Sequence, residues 1–311
     1  MPQPQFCTQR VHVVDILIPK EEIYMSAIPR LNTIIGALEQ GKTVMGSFAS
    51  ADIPSAVELS TSKYDGVIFE MEHQPWDAVV LRDTLQYMLN RRQIVARGTV
   101  APGVTPIVRI PANGGENNQW LAKQALDMGA YGIVWPHVST VDQAYNAVSA
   151  CRYPRLKKAP RYEPAGIRGD APIAASRYWG LTQADYYTKA DVWPLDPNGE
   201  ILSILMIEDT LAIQNLDEIL KNVAGIGAVL IGEGDLSQEL GHPRDYEHPE
   251  VASARAEIVK ICKANKVAVG HPHVTGGNVE RVISEGYNIL LLKAGRNYSG
   301  VEKGLQLIGR A

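Results

Sequence analysis

Residues 202–234 read LSILMIEDTLAIQNLDEILKNVAGIGAVLIGEG, and the fold class turns on them. The two ends, Leu202–Glu208 and Ala228–Gly234, are short apolar runs without alternation of apolar and polar residues. Runs of that kind suit strands buried on both faces, as in a parallel sheet. Between them, Thr210–Val223 places Leu211, Leu216, Ile219 and Leu220 at helical spacing. A buried strand, a helix and a second buried strand make a βαβ unit.

The same unit recurs along the chain. Further strand-like runs are Thr43–Ala49, Gly66–Glu72, Thr105–Pro111, Gly132–Val138, Val267–His273 and Ile289–Gly295. Helical patterns occupy Ser26–Gln40, Asn118–Gly129, Thr140–Arg152, His248–Asn265, Asn278–Gly286 and Val301–Gly309. Gly129, Gly286 and Gly309 stand where helix C-caps are expected. Eight buried strands alternating with helices predict an α/β fold, a (β/α)8 TIM barrel. A doubly wound sheet is the rival, but no G-x-G-x-x-G follows the first strand. The expectation is one barrel domain over residues 1–311. Residues 1–42 form an N-terminal extension with a helix, and residues 152–200 are an insertion between strands 4 and 5. The insertion is rich in proline, and its Trp179, Tyr186, Tyr187 and Trp193 favour an ordered lid or subunit contact over disorder.

Composition excludes several classes. The 311 residues carry 30 Lys and Arg against 34 Asp and Glu, a net charge of −4, so nucleic acid is not an expected partner. No apolar run approaches the roughly 20 residues that span a bilayer, so neither is a membrane. The first twenty residues lack a basic region followed by a long apolar run. The three cysteines, Cys7, Cys151 and Cys262, form no C-x-x-C pair and fit a reduced cytoplasm.

Polar residues gather at the C-terminal ends of the predicted strands, where barrel chemistry sits. These ends carry Glu70, Glu72 and His73, then Arg109, His137, Glu208 with Asp209, Glu233 with Asp235, and His271 with His273. Charges there cost several kcal/mol of desolvation unless they pair or bind a cation. Glu208 and Asp235 end adjacent strands, and two hard oxygen ligands suit Mg²⁺ or Mn²⁺. The competing reading is that such acids merely cap the following helices. His73 reads either as a general base or as a satisfied core histidine. Arg109 reads either as a fork for a carboxylate or carbonyl oxygen, or as a neutraliser of buried carboxylates. Asp127 can orient His73 or face solvent. His271 and His273, at i and i+2, share one strand face and read as pocket lining, packing or ligands of a softer metal. The glycines around Gly234 leave amides able to bind a carboxylate, or simply allow a tight turn.

Taken together, the chain resembles the HpcH/HpaI aldolase family of metal-dependent class II pyruvate aldolases. The resemblance rests on Glu70-Met71-Glu72-His73, Pro106–Pro111, Lys123–Ala130, Arg152-Tyr153-Pro154 and Gly166-Ile167-Arg168-Gly169. It continues through Ala175-Ser176-Arg177, Ile207-Glu208, Asn215–Leu220, Asp235-Leu236-Ser237, Leu240–Pro243 and His248–Val251. It runs from about Leu38 to the C-terminus.

The resemblance implies a TIM barrel that cleaves or forms 4-hydroxy-2-oxo acids through a pyruvate enolate. It implies Mg²⁺, Mn²⁺ or Co²⁺ held by Glu208 and Asp235, with Arg109 on the enolate oxygen and His73 paired with Asp127 as acid/base. It further implies amides near Gly234 and Asp235 on the pyruvate carboxylate, a 2-oxo acid and an aldehyde as small-molecule partners, and a homohexamer built as a trimer of dimers. The departures lie around the pocket: Glu70-Met71 in place of aspartate-glycine, Met206 in place of glutamine, Glu233-Gly234 in place of proline-alanine, and the unusual His271-Pro272-His273. Met206, His271 and His273 are therefore expected on the aldehyde side. Another enolate-forming lyase, such as an acyl-CoA lyase or oxaloacetate decarboxylase, is the alternative. CoA binding would need a basic groove near the barrel mouth; Lys157, Lys158 and Arg161 make a small basic cluster in the insertion, which reads rather as a solvated loop.

Overall fold

In the computed structural model, residues 28–111, 114–116, 119–295 and 297–310 are described. Eight parallel strands close into a barrel in sequence order: β1 Val44–Ser50, β2 Gly66–Glu70, β3 Thr105–Arg109, β4 Gly132–Trp135, β5 Leu202–Ile207, β6 Ile226–Ile231, β7 Ala268–Val274 and β8 Ile289–Lys293. All eight predicted strands are present. Every residue of β5 and β6 is buried, as their unbroken apolar runs require.

The helices start where side chains can satisfy their first amides. Asp209 caps Thr210–Asn222, His248 caps Pro249–Ala264, and Thr140 forms a capping box with Gln143 at the head of Val141–Ala150. Asn32 caps Thr33–Glu39, so that helix begins later than expected. Residues 1–27 of the expected N-terminal extension, with the start of the predicted Ser26–Gln40 pattern, lie outside the described residues. Helices Ile53–Leu59, Ala78–Tyr87 and Arg91–Arg97 fill the first two crossovers, where no helical pattern was expected.

The insertion after β4 is ordered and carries helices Ile173–Trp179 and Gln183–Lys189. Its aromatics correct the lid expectation. Trp179 and Tyr186 are fully buried, and Trp179 stacks on Tyr131 with ring centres 4.3 Å apart. The Trp179 Nε1–H donates to the carbonyl of Gly129 at 2.8 Å. Tyr131 precedes β4, so these rings seal the N-terminal end of the barrel, away from the mouth. A large indole buries too much apolar area to be left over an open cleft when such a seat exists. Arg161, from the basic cluster, pairs with Asp196 at 3.1 Å.

Candidate functional site

The strand ends enclose a cavity of about 510 Å³ at the C-terminal mouth, within the size range of small-molecule sites. Its floor is carboxylate. Glu208, directly after β5, is only 2% exposed. Its Oε1 accepts the backbone N–H of His137 at 2.5 Å and lies 3.6 Å from His137 Nδ1. His137 reaches it from a left-handed turn after β4, with φ of 50°. Asp235 joins from the first turn of helix Glu233–Glu239. Between them stands Gly232, where a Cβ would collide with the Glu208 side chain.

One ligand atom each from His137, Glu208 and Asp235 lies within 4.8 Å of the others. Burial raises the Glu208 carboxyl to about 7, opposed by His137 and reinforced by the nearby charges of Glu72 and Asp235. A buried carboxylate facing other carboxylates, with one imidazole beside it, fits a divalent cation in its donor set and in its unbalanced charge. Glu208 and Asp235 are thus brought together as expected, and His137 is an addition. Its role depends on the positive-φ turn, which strand periodicity does not reveal.

Arg109 closes β3. Its Nε donates to Glu70 Oε2 at 2.7 Å, Nη2 donates to the same oxygen, and Nη1 lies 3.0 Å from Glu72. Its guanidinium sits over the Phe48 ring at 4.9 Å, and Nη1 is 3.6 Å from the Met206 sulfur. Glu70 also braces the chain after β2, where its Oε1 accepts the amides of Glu72 at 2.7 Å and His73 at 3.1 Å. One carboxylate therefore fixes both the guanidinium and the turn that carries His73. Burial raises the Glu72 carboxyl above its usual range, against the pull of Arg109.

The His73 side chain lines the cavity, is 67% exposed, and has Nε2 3.5 Å from Glu72. Asp127 is elsewhere. It accepts from Arg168 Nη2 at 2.9 Å and Nε at 3.3 Å, so the expected pairing with His73 is not formed within one chain. Arg168 is buried between the rings of Tyr153 and Tyr186, and a buried guanidinium demands a counter-charge.

His271 and His273 are also separated. Strand β7 shifts register between His271 and Val274, so i, i+2 spacing no longer means one face. His271 is 2% exposed and lies behind the cavity, with Nε2 3.4 Å from Arg255 and 3.5 Å from Glu233. Burial lowers its pKa to about 4, so it is a neutral core residue rather than pocket lining. The His273 side chain is 51% exposed at the cavity wall; its Nδ1 meets Glu233 at 2.6 Å and its ring stacks on Tyr246. Glu233 also pairs with buried Arg255, and these partners overcome desolvation to hold its carboxyl below the usual range. Met206 and Gly234 line the cavity, and space is open where a Gly234 Cβ would be.

The profile of the HpcH/HpaI aldolase/citrate lyase family matches residues 45–293. The chain is 32% identical over 255 residues to a 2-keto-3-deoxy-L-rhamnonate aldolase of Klebsiella pneumoniae, covering 81% of this chain and 83% of that one. A protein of that name from Salmonella newport is 31% identical over the same shares. Among solved structures, an HpcH/HpaI aldolase/citrate lyase family protein from Burkholderia cenocepacia superposes with TM-score 0.70 at 26% identity, covering 89% of this chain and 97% of the other. An HpcH/HpaI aldolase from Desulfitobacterium hafniense shares the fold with TM-score 0.66 at 22% identity, covering 89% and 96%. No helix among the described residues is long and apolar enough to cross a membrane. With the profile spanning most of the barrel and the relatives covering four-fifths of the sequence, the chain belongs to the HpcH/HpaI aldolase/citrate lyase family of lyases.

Proposed function

We propose that the protein is a divalent-cation-dependent carbon–carbon lyase, an aldehyde-lyase that cleaves or forms 4-hydroxy-2-oxo acids through the enolate of pyruvate. The observation that carries this reading is that Glu208 and Asp235, with His137 beside them, converge in the cavity that an immobilised Arg109 also lines. Those three residues would hold Mg²⁺, Mn²⁺ or Co²⁺. When bound, the cation supplies Lewis-acid polarisation of the 2-oxo acid.

The remaining work falls to the chain. Arg109, already oriented by Glu70, faces charge that develops on the C2 oxygen as the C3–C4 bond breaks. Phe48 and Met206 shield it from water, which strengthens that interaction. His73 takes the proton from the C4 hydroxyl; the bonding pair passes to C3 and C2, the aldehyde leaves, and a proton returned to C3 completes pyruvate. Glu72 steadies the imidazolium formed. Amides in the first turn at Gly234 and Asp235 have no side-chain cap and can take the pyruvate carboxylate.

The natural partners are then a 2-oxo acid and an aldehyde. The buried unpaired Cys151 and Cys262 support a cytoplasmic setting. Assembly with further copies is supported by the apolar side chains Ile53, Val57, Val79, Val80 and Tyr87 left exposed on two neighbouring helices; its reading as a trimer of dimers comes from the family resemblance alone. The test is pyruvate release from a series of 4-hydroxy-2-oxo acids, coupled to lactate dehydrogenase, with and without added Mg²⁺, Mn²⁺ or Co²⁺. Cation-dependent release supports the reading. No release from any substrate, and no oxaloacetate decarboxylation, would sink it.

A further inference from the structure

A second group of cation-ligating side chains lies outside the cavity. Helix Pro249–Ala264 begins with His248 at its N-cap and Glu250 in its first turn, and His242 joins them from the loop before it. None of the three lines the cavity at the barrel mouth. One ligand atom from each lies within 4.8 Å of the others. The His242 and His248 rings stack face to face, with centres 3.3 Å apart and planes 19° from parallel. His242 Nε2 meets Glu250 Oε2 at 2.7 Å.

The backbone holds this arrangement in place. A proline follows each histidine and restricts the chain on both sides of the bond. The Ser237 carbonyl accepts the His242 N–H at 2.8 Å, and Ser237 Oγ accepts the Arg244 N–H at 3.0 Å. The carbonyls of His242 and Asp245 accept the amides of Asp245 and His248 at 3.0 and 3.1 Å. Side chains carried by so tied a loop lose little further freedom on taking a ligand.

An acid in the first turn of a helix answers the helix dipole and needs no other role. Two imidazoles folded onto that acid are not explained in this way. Among the described residues no lysine or arginine pairs with Glu250, whose carboxyl is held below its usual range by the His242 hydrogen bond and so is ionised at neutral pH. Ligands at about 2.0–2.1 Å from a tetrahedral ion stand roughly 3.3 Å from one another. The ring separation already has that scale. Rotation of the rings, with the exposed Glu250 opening by about half an ångström, brings all three onto one ion. His248 Nδ1 now accepts the Glu250 amide, and ligation passes the ring's one lone pair to the ion; at 3.3 Å the bond given up is a weak one. Two imidazoles and one carboxylate make a donor set for a borderline cation, unlike the carboxylate-rich floor of the barrel mouth.

We propose that His242, His248 and Glu250 form a second cation site, for a borderline divalent ion such as Zn²⁺, with the remaining positions open to water. An ion there ties the loop that carries Arg244 and Tyr246, both of which line the cavity, to the head of the following helix. The site is independent of the lyase reading.

Isothermal titration of the full chain with Zn²⁺, in excess Mg²⁺, tests it without turnover. The expected result includes a class of one Zn²⁺ per chain that His242→Gln and His248→Asn each weaken by about tenfold or more, as loss of one ligand would give. Asparagine at position 248 still caps the helix, so that variant removes the imidazole and keeps the fold. Glu208→Gln should leave this class intact, since any Zn²⁺ at the barrel mouth answers to that variant instead. Melting temperatures taken alongside should rise with Zn²⁺ in the Glu208→Gln protein and lose that rise when His242→Gln is added. Absence of Zn²⁺ binding in the Glu208→Gln protein, or binding there that neither histidine variant weakens, would overturn the proposal.

Discussion

Two buried glutamates at the barrel mouth sit close together in the fold and meet opposite fates. Glu208 faces His137, Asp235 and Glu72, and its carboxyl is driven up to about 7. Glu233 pairs with Arg255, His273 and His271, and its carboxyl is held down. Both are desolvated, so burial alone does not separate them; the company each keeps does. One cluster is electrostatically complete and serves as a brace. The other is short of positive charge and is suited to a cation. Counting acidic residues at strand ends does not distinguish them.

Breaking the incomplete cluster should have the larger consequence for chemistry. Glu208→Gln should cut cation-dependent pyruvate release by about a thousandfold or more while leaving the circular dichroism spectrum unchanged. Arg109→Lys comes next. It keeps the charge but loses the planar fork that holds Glu70, and kcat should fall by about a hundredfold, read in the same coupled assay. Retention of full activity by either variant would mean that the floor of the cavity is not where the bond breaks.

Breaking the complete cluster should show in stability. Glu233→Gln leaves Arg255 buried without its counter-charge and should cost about 3–5 kcal/mol in denaturant unfolding. The pH dependence of that cluster has a definite sign. His271 has a folded pKa of about 4, below its usual 6.5, so the unfolded chain binds more protons between those values. Stability therefore falls as pH drops from about 6.5 toward 4, by about 3 kcal/mol from this group. Glu233, whose pKa is lowered, is fully stabilising above the ordinary glutamate range and loses that contribution as pH falls, so the two effects reinforce each other. Unfolding measured at pH 7 and pH 5 should show the loss, and His271→Gln should flatten the slope. The smallest effect expected is from Gly232→Ala, whose methyl pushes against Glu208. It should cost about 1–3 kcal/mol and weaken the response of the melting temperature to Mg²⁺.

The barrel is legible because its strands are unbroken apolar runs, and burial on both faces leaves no other reading for Leu202–Ile207 or Ile226–Ile231. The short helices are not. Ile53–Leu59 buries only Ala56 and Leu59, and Arg91–Arg97 buries nothing, so no period can emerge. Glu208 and Asp235 are readable because adjacent strand ends must converge in a closed barrel. Asp127 misleads because its partner, Arg168, arrives from an insertion 41 residues later. His271 and His273 mislead because a register shift at Pro272 turns one inward and the other out. The aromatics of the insertion suggest a lid because composition reports order but not which end of the barrel is covered.

The most direct test of the cation site is anomalous diffraction from crystals grown with Mn²⁺ and oxamate. The expected result is one strong peak between the carboxylates of Glu208 and Asp235, beside His137, with oxamate in the same cavity near Arg109. A peak confined to the surface group His242, His248 and Glu250, or no peak at the mouth, would contradict a cation at the barrel mouth.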